Sequence, residues 1–187
     1  MIDHYKKTKP MYPDVRIAIN LGTRVTLFLE HPKIVDEDKE IDLAIIEWDE
    51  LEKWAYHNKR YFPIVTWPIP VPKKGDPITV VGFPGALRKT TDDMGSFSPY
   101  GLGMIVRNEP ANNIWLVSES GTLHTRIKGM ISNQSIDLGG LSGSPGLFFQ
   151  NGRFHLAGLV YECSERADMV VLNIASRIRR DGTISKD

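Results

Sequence analysis

The 187-residue chain holds one cysteine, has no excess of either charge, and has no long apolar run. A single thiol, Cys163, cannot close an internal disulfide, and it rules out metal clusters built on several cysteines. Lys and Arg number 23 and Asp and Glu number 23, so the formal charge is zero. That balance offers nothing to a nucleic acid or an anionic membrane, and neither partner is expected. No apolar stretch reaches the ~18–20 residues that cross a bilayer. Nor does an apolar segment of ~7–15 residues follow Met1, so no signal peptide is read there. Internal repeats and low-complexity tracts are missing too. What remains is ordinary for a folded protein: 41% hydrophobic residues to build a core and 25% charged residues to cover it. Twelve prolines and sixteen glycines imply many turns. The length suits one compact domain or two small ones.

Periodicity of two dominates. Val15, Ile17 and Ile19 recur at every second position, as do Val25, Leu27 and Leu29, and Leu21-Gly22-Thr23 makes a tight link between them. The charged stretch 32–40 reads as a polar connection. Leu43–Trp48 is a nearly continuous apolar run, expected to be a strand buried on both faces. Asp49 can cap one or two helical turns ending near His57. Four prolines between Tyr61 and Pro72 mark a linker or crossover. Further strands are expected near 77–83, 102–108, 113–119, 154–161 and 168–173, with 123–130 and 145–149 competing for a sixth place. Asn151-Gly152, between two apolar runs, is a strong hairpin signal because both residues tolerate positive φ. A short helix is expected over 175–180. Many short strands and almost no helix argue an all-β barrel or sandwich. The boundary between two halves is placed in the proline-rich stretch, giving 1–66 and 67–187.

The segment richest in chemistry is Asp137-Leu-Gly-Gly-Leu-Ser-Gly-Ser-Pro-Gly146. Glycines at 139, 140 and 143 free the main chain around Ser142 from Cβ crowding. A backbone that turns so tightly can aim successive N–H groups into one concavity, which holds an oxyanion beside a serine able to attack the carbonyl that becomes it. A plain Gly/Ser/Pro turn between strands fits the same residues. The Gly-x-Ser-x-Gly elbow is not met, because Ser144 stands where its last glycine belongs. A second piece is Asp42, an acid that opens an apolar strand. There it is expected to be partly buried and to need a donor, such as an imidazole N–H. Capping a strand or turn is the competing role.

In this order and a hundred residues apart, the two pieces resemble the trypsin-like (chymotrypsin-fold) serine peptidases. They are most similar to the bacterial branch of HtrA-like and glutamyl-endopeptidase-like enzymes. Thr79-Val-Val-Gly-Phe-Pro84 and Leu156-Ala-Gly-Leu-Val-Tyr161 add to the likeness by being collinear with the serine motif. The resemblance implies a double β-barrel with the site in the cleft between its halves. Ser142 then matches the nucleophile, the N–H groups of Gly140 and Ser142 the oxyanion hole, and Asp42 the acid that orients a histidine. It also implies a peptide or protein substrate and no cofactor or metal. The primary pocket would be lined by Ile136, Tyr161, Glu162 and Cys163. An apolar Ile136 at its base disfavours Lys or Arg at the scissile position, because burying an unpaired cation is costly. Where the zymogen-activated enzymes have an acid before the serine, this chain has Leu141, so activation by a freed N-terminus is not expected.

The departure is the base. No Thr-Ala-x-His motif precedes Asp42. Only His4 has a suitable separation from the acid; a registration in which Met1-Ile-Asp resembles the segment after the catalytic histidine fits better, so the histidine is expected to be missing from this chain. His31, His57, His124 and His155 carry no supporting motif and read as surface or strand residues. The expected fold is therefore all-β, with an incomplete first barrel, a complete second barrel and a route to dimerisation through the open edge. A serine endopeptidase is one reading. An inactive relative that binds peptides or acts as a scaffold is a second, and an unrelated β-barrel binding module is a third. The acidic run Asp36-Glu37-Asp38 with Glu40 lacks the alternation of a Ca²⁺ loop and reads as solvated, as does Asp92-Asp93. Gly82-Phe-Pro-Gly85 is not a phosphate loop, since no Gly-Lys-Ser/Thr follows.

Overall fold

The computed structural model of the protein describes residues 17–22, 25–29, 33–47, 62–91, 94–97, 100–117, 139–164 and 169–186. They form two compact units. The described residues up to Pro63 join Asp181–Lys186 in the first, and Ile64–Arg180 make the second. The expected helical turns over 49–57 and the competing strand over 123–130 lie outside the described residues.

The first unit holds two antiparallel hairpins, β1 (Ile17–Gly22) with β2 (Val25–Leu29), and β3 (Lys33–Asp38) with β4 (Leu43–Glu47). Each is a separate two-stranded sheet. β3 corrects the expectation of a polar connection over 32–40. Its charged residues are tolerated because none of its side chains is fully buried, and one of them pairs across the sheet. Lys33 lies opposite Glu47, and its ammonium donates to the Glu47 carboxylate at 2.7 Å. For the same reason β4 is not buried on both faces. Only Leu43 is buried, at 7% exposure, while Ala44, Ile45 and Ile46 are half-buried.

The second unit is built on a closed antiparallel barrel of six strands. These are β5 (Pro77–Gly82), β8 (Tyr100–Val106), β9 (Asn113–Val117), β10 (Pro145–Gln150), β11 (Arg153–Ser164) and β12 (Met169–Ile174). Between β5 and β8 lies an extra hairpin of β6 (Arg88–Thr91) and β7 (Met94–Phe97), which no alternation in the sequence announces. Around the barrel the order is β5-β8-β9-β12-β11-β10. Two meanders, β5-β8-β9 and β10-β11-β12, thus meet edge to edge at two seams. One is β9 with β12, registered by Ile114↔Leu172. The other is β5 with β10, registered by Gly146↔Val80 and Leu147↔Thr79.

Alternation fills the interior. In β5, Ile78, Val80 and Gly82 point inward and Pro77, Thr79 and Val81 outward. Ile78, Val80, Leu102, Met104, Ile114, Leu116, Phe148, Ala157, Val170 and Leu172 belong to one cluster, each at 2% exposure or less. Closure removes the sheet edges that would otherwise need cover. Asn151 and Gly152 turn β10 into β11 with φ of +52° and +79°. The helix expected over 175–180 is shorter, a single 3-10 turn at Ala175–Arg177.

Neighbouring strand positions are expected to respond in opposite ways. Leu102→Ala removes a side chain with no exposure and should lower stability by about 2–5 kcal/mol. Val81→Thr, on the outer face at 39% exposure, should stay within about 0.5 kcal/mol. Urea unfolding of the two variants checks both values.

Candidate active site

The loop that enters β10 is fixed from both sides of the β5–β10 seam. On the β11 side, the N–H of Gly143 donates to Val160 O at 2.7 Å, and the N–H of Val160 donates to Ser144 O at 2.8 Å. These bonds continue the β10–β11 ladder past Pro145↔Leu159 into the loop. On the β5 side, the N–H of Gly85 donates to Gly139 O at 2.6 Å. Within the loop, the N–H of Ser144 donates to Leu141 O at 2.8 Å, closing a tight turn over Ser142 and Gly143.

Two glycines make this path possible. Gly140 has φ +93°, and a Cβ there would stand 2.9 Å from Gly85 N. Both the backbone conformation and the close approach exclude a side chain. Gly82, at the end of β5, matters for space alone: a Cβ there would overlap Ser144 Oγ and Leu141 Cδ2. Leu141 uses that space. It is 1% exposed and belongs to the barrel core. The loop is therefore pinned by an apolar anchor one residue before Ser142. Burying a leucine contributes about 1.5–3 kcal/mol.

Pinned in this way, the loop presents Ser142 to solvent. Among the described residues no acceptor meets the N–H groups of Gly140, Leu141 or Ser142, whereas those of Gly143 and Ser144 are bonded. Ser142 is thus exposed beside main-chain N–H groups that have no acceptor among the described residues.

The other residues singled out from the sequence are placed as follows. Tyr161 is the extra residue of a β-bulge between Val160 and Glu162. The bulge interrupts the alternation, so Tyr161 and Glu162 are both exposed, directly after the Val160 that clamps the loop. Cys163 is half-buried and packs against the barrel core rather than standing free on that surface. Asp42 belongs to the first unit, at the end of the β3–β4 turn, with φ +50°. It is exposed, where partial burial was expected, and no described donor reaches its carboxylate. The hairpin explains this: a two-stranded sheet leaves its turn in water. His155 is the one histidine among the described residues. It is 8% exposed, stacks on Phe148 with centroids 5.4 Å apart, and its Nε2 lies 3.2 Å from Gln150 O. Both partners fix it toward the hairpin end of β10, away from Pro145. Ile136, His4, His31, His57 and His124 lie outside the described residues.

The acids considered for Ca²⁺ serve the backbone. Asp36 Oδ1 accepts from the N–H of Glu37 at 2.8 Å, and Asp38 Oδ1 accepts from the N–H of Glu40 at 3.0 Å. Among the described residues no three His, Cys, Asp or Glu side chains gather as a metal site.

Sequence reasoning missed Gly82, Leu141 and Val160 as builders of the loop. Two signals were available. An isolated apolar residue stands inside Gly139-Gly-Leu-Ser-Gly143, and a glycine ends the otherwise β-branched strand Thr79-Val-Val-Gly82.

A scan of protein-family models and a search of curated proteins found no match to the chain.

Gly82→Ala tests the loop without touching Ser142. Overpacking against Leu141 and Ser144 should lower stability by about 1–3 kcal/mol. Amide exchange at Gly143 and Val160 should speed up selectively, as hydrogen-exchange mass spectrometry or NMR would show.

Proposed function

We propose that this chain is a trypsin-like serine endopeptidase module that hydrolyses peptide bonds at Ser142, its closed barrel being the second of two. One observation carries the reading: an exposed serine lies in a core-anchored loop whose Gly140 and Ser142 N–H groups have no acceptor among the described residues. In the proposed reaction Ser142 Oγ attacks the substrate carbonyl as a histidine takes the hydroxyl proton. The carbonyl oxygen becomes an oxyanion received by those N–H groups. The histidine then returns the proton to the departing amine, and water releases the acyl group by the same steps. Asp42 is assigned the role of orienting the imidazole. His4 is the candidate base within the chain. Tyr161 and Glu162, exposed beside the loop, are assigned to substrate contact. Ile136 and Cys163 complete the pocket set carried by the resemblance.

A second reading is favoured by one specific observation. The single described imidazole, His155, is turned to Gln150 O and Phe148. On that reading the chain is an inactive relative that binds a peptide without cleaving it.

A fluorophosphonate probe separates the two. The peptidase reading expects label on Ser142, none in Ser142→Ala, and a rate lowered by roughly three to four powers of ten in Asp42→Asn. It is overturned if the unmodified chain takes no label. Retention of a peptide library without turnover then selects the binding module.

A further inference from the structure

We propose that the segment Asp181–Lys186 is a strap that sets the conformation of the β3–β4 hairpin at Asp42, with Asp36 and Ile184 as positioning residues. Its catalytic meaning rests on the peptidase reading above, but the strap itself does not.

The strap is a preformed turn followed by a plug. Asp181 Oδ1 accepts from the N–H of Thr183 at 2.9 Å and from its hydroxyl at 2.7 Å. Gly182 stands between them with φ +81°, and a Cβ there would lie 3.5 Å from Val35 Cγ1 and 3.7 Å from Ile45 Cγ2. The turn therefore lies against both strands of the hairpin. Ile184 follows and is 3% exposed, whereas the side chains of β3 and β4 are mostly half-buried. Its N–H donates to Asp36 Oδ2 at 2.8 Å.

Asp36 is placed to receive it. A bulge at Val35 shifts the register between Ile34 and Asp36, and Asp36 pairs with Ile45. One carboxylate oxygen holds the strand's own Glu37 N–H, and the other holds the strap. Two rungs further along, Asp38 pairs with Leu43, and Asp42 occupies the left-handed position that ends the turn. Asp42 lies in the left-handed region at φ +50°, which a short polar residue such as Asp tolerates, so its conformation belongs to the turn and follows the pairing that closes it. Among the described residues the strap packs on this two-stranded sheet, and such a sheet is marginal alone in water, so the contact at Gly182 and the bond to Asp36 bear on the hairpin that carries Asp42.

The test uses the whole chain, with NMR shifts of Asp42 and amide exchange at Ala44 and Ile46 as readouts. Ile184→Ser and Asp36→Ala should move the Asp42 Cα shift toward its random-coil value and speed hairpin exchange by about tenfold or more. Ile184→Val should restore both, and barrel signals from Leu116 and Leu172 should stay unchanged. Native Asp42 shifts and exchange in both disruptive variants would overturn the strap. Where Ser142 is labelled, a double-mutant cycle adds a functional readout. Strap variants should slow labelling in the parent and have no further effect in Asp42→Asn. An additive loss would overturn the positioning role. Absence of any labelling would count against the peptidase reading alone, since the shifts and exchange judge the strap by themselves.

Discussion

Closure of the barrel at the seam between β5 and β10 is the constraint from which the candidate site follows. The seam is short, registered by Gly146↔Val80 and Leu147↔Thr79. Its continuation is an interlock rather than a ladder: Gly82, without a side chain, receives Ser144 and Leu141. β10 therefore cannot join β5 in register without bringing the Gly139–Gly143 loop to the same end of the barrel. On the opposite side, the two bonds to Val160 align the loop with β11. The loop is held between two strands that are themselves fixed by the core, so its irregular backbone is not left to its own preferences.

The anchor is apolar, and this has a physical consequence. Leu141 holds its place by burial in a cluster that also contains Val80, Leu102 and Leu172. An ion pair in that position would depend on pH and on the presence of its partner, and its desolvation would offset much of its attraction. Burial of an apolar side chain carries neither dependence. On the peptidase reading, the donor arrangement at Ser142 forms as the barrel folds and needs no charged terminus to set it.

Much of the barrel was legible in the sequence because its strands obey simple alternation. The ranges expected near 77–83, 113–119, 154–161 and 168–173 contain most of β5, β9, β11 and β12, and Asn151-Gly152 makes the turn its composition implied. Legibility fails where burial fails. β3 carries Lys33, Asp36, Glu37 and Asp38, and it pairs with β4 without a continuous apolar face of its own. β6 and β7 likewise carry no alternation over Arg88–Thr91 and Met94–Phe97. In the candidate site, the glycine-rich path was visible but its supports were not. Leu141, Gly82 and Val160 act through contacts between residues 16 to 62 positions apart, and a single sequence has no period that reveals such contacts. Asp42 shows the reverse case: the apolar run after it suggested burial, yet a turn residue of a two-stranded sheet stays in water.

The two units differ in how firmly they can hold a functional group. Around Ser142 the fold supplies a closed sheet, a shared core and hydrogen bonds on both flanks. Around Asp42 the described residues supply one hairpin, a cross-strand ion pair between exposed side chains and a short segment bonded to Asp36. Exposed ion pairs contribute little, about 0–1 kcal/mol. Local opening follows differences in such support. If both groups serve one reaction, the fraction of competent molecules is set by the weaker support. On the peptidase reading, substitutions beneath Asp42 would change activity more than further packing of the barrel core, because burial of Leu141 and the close fit at Gly82 already hold the loop at Ser142.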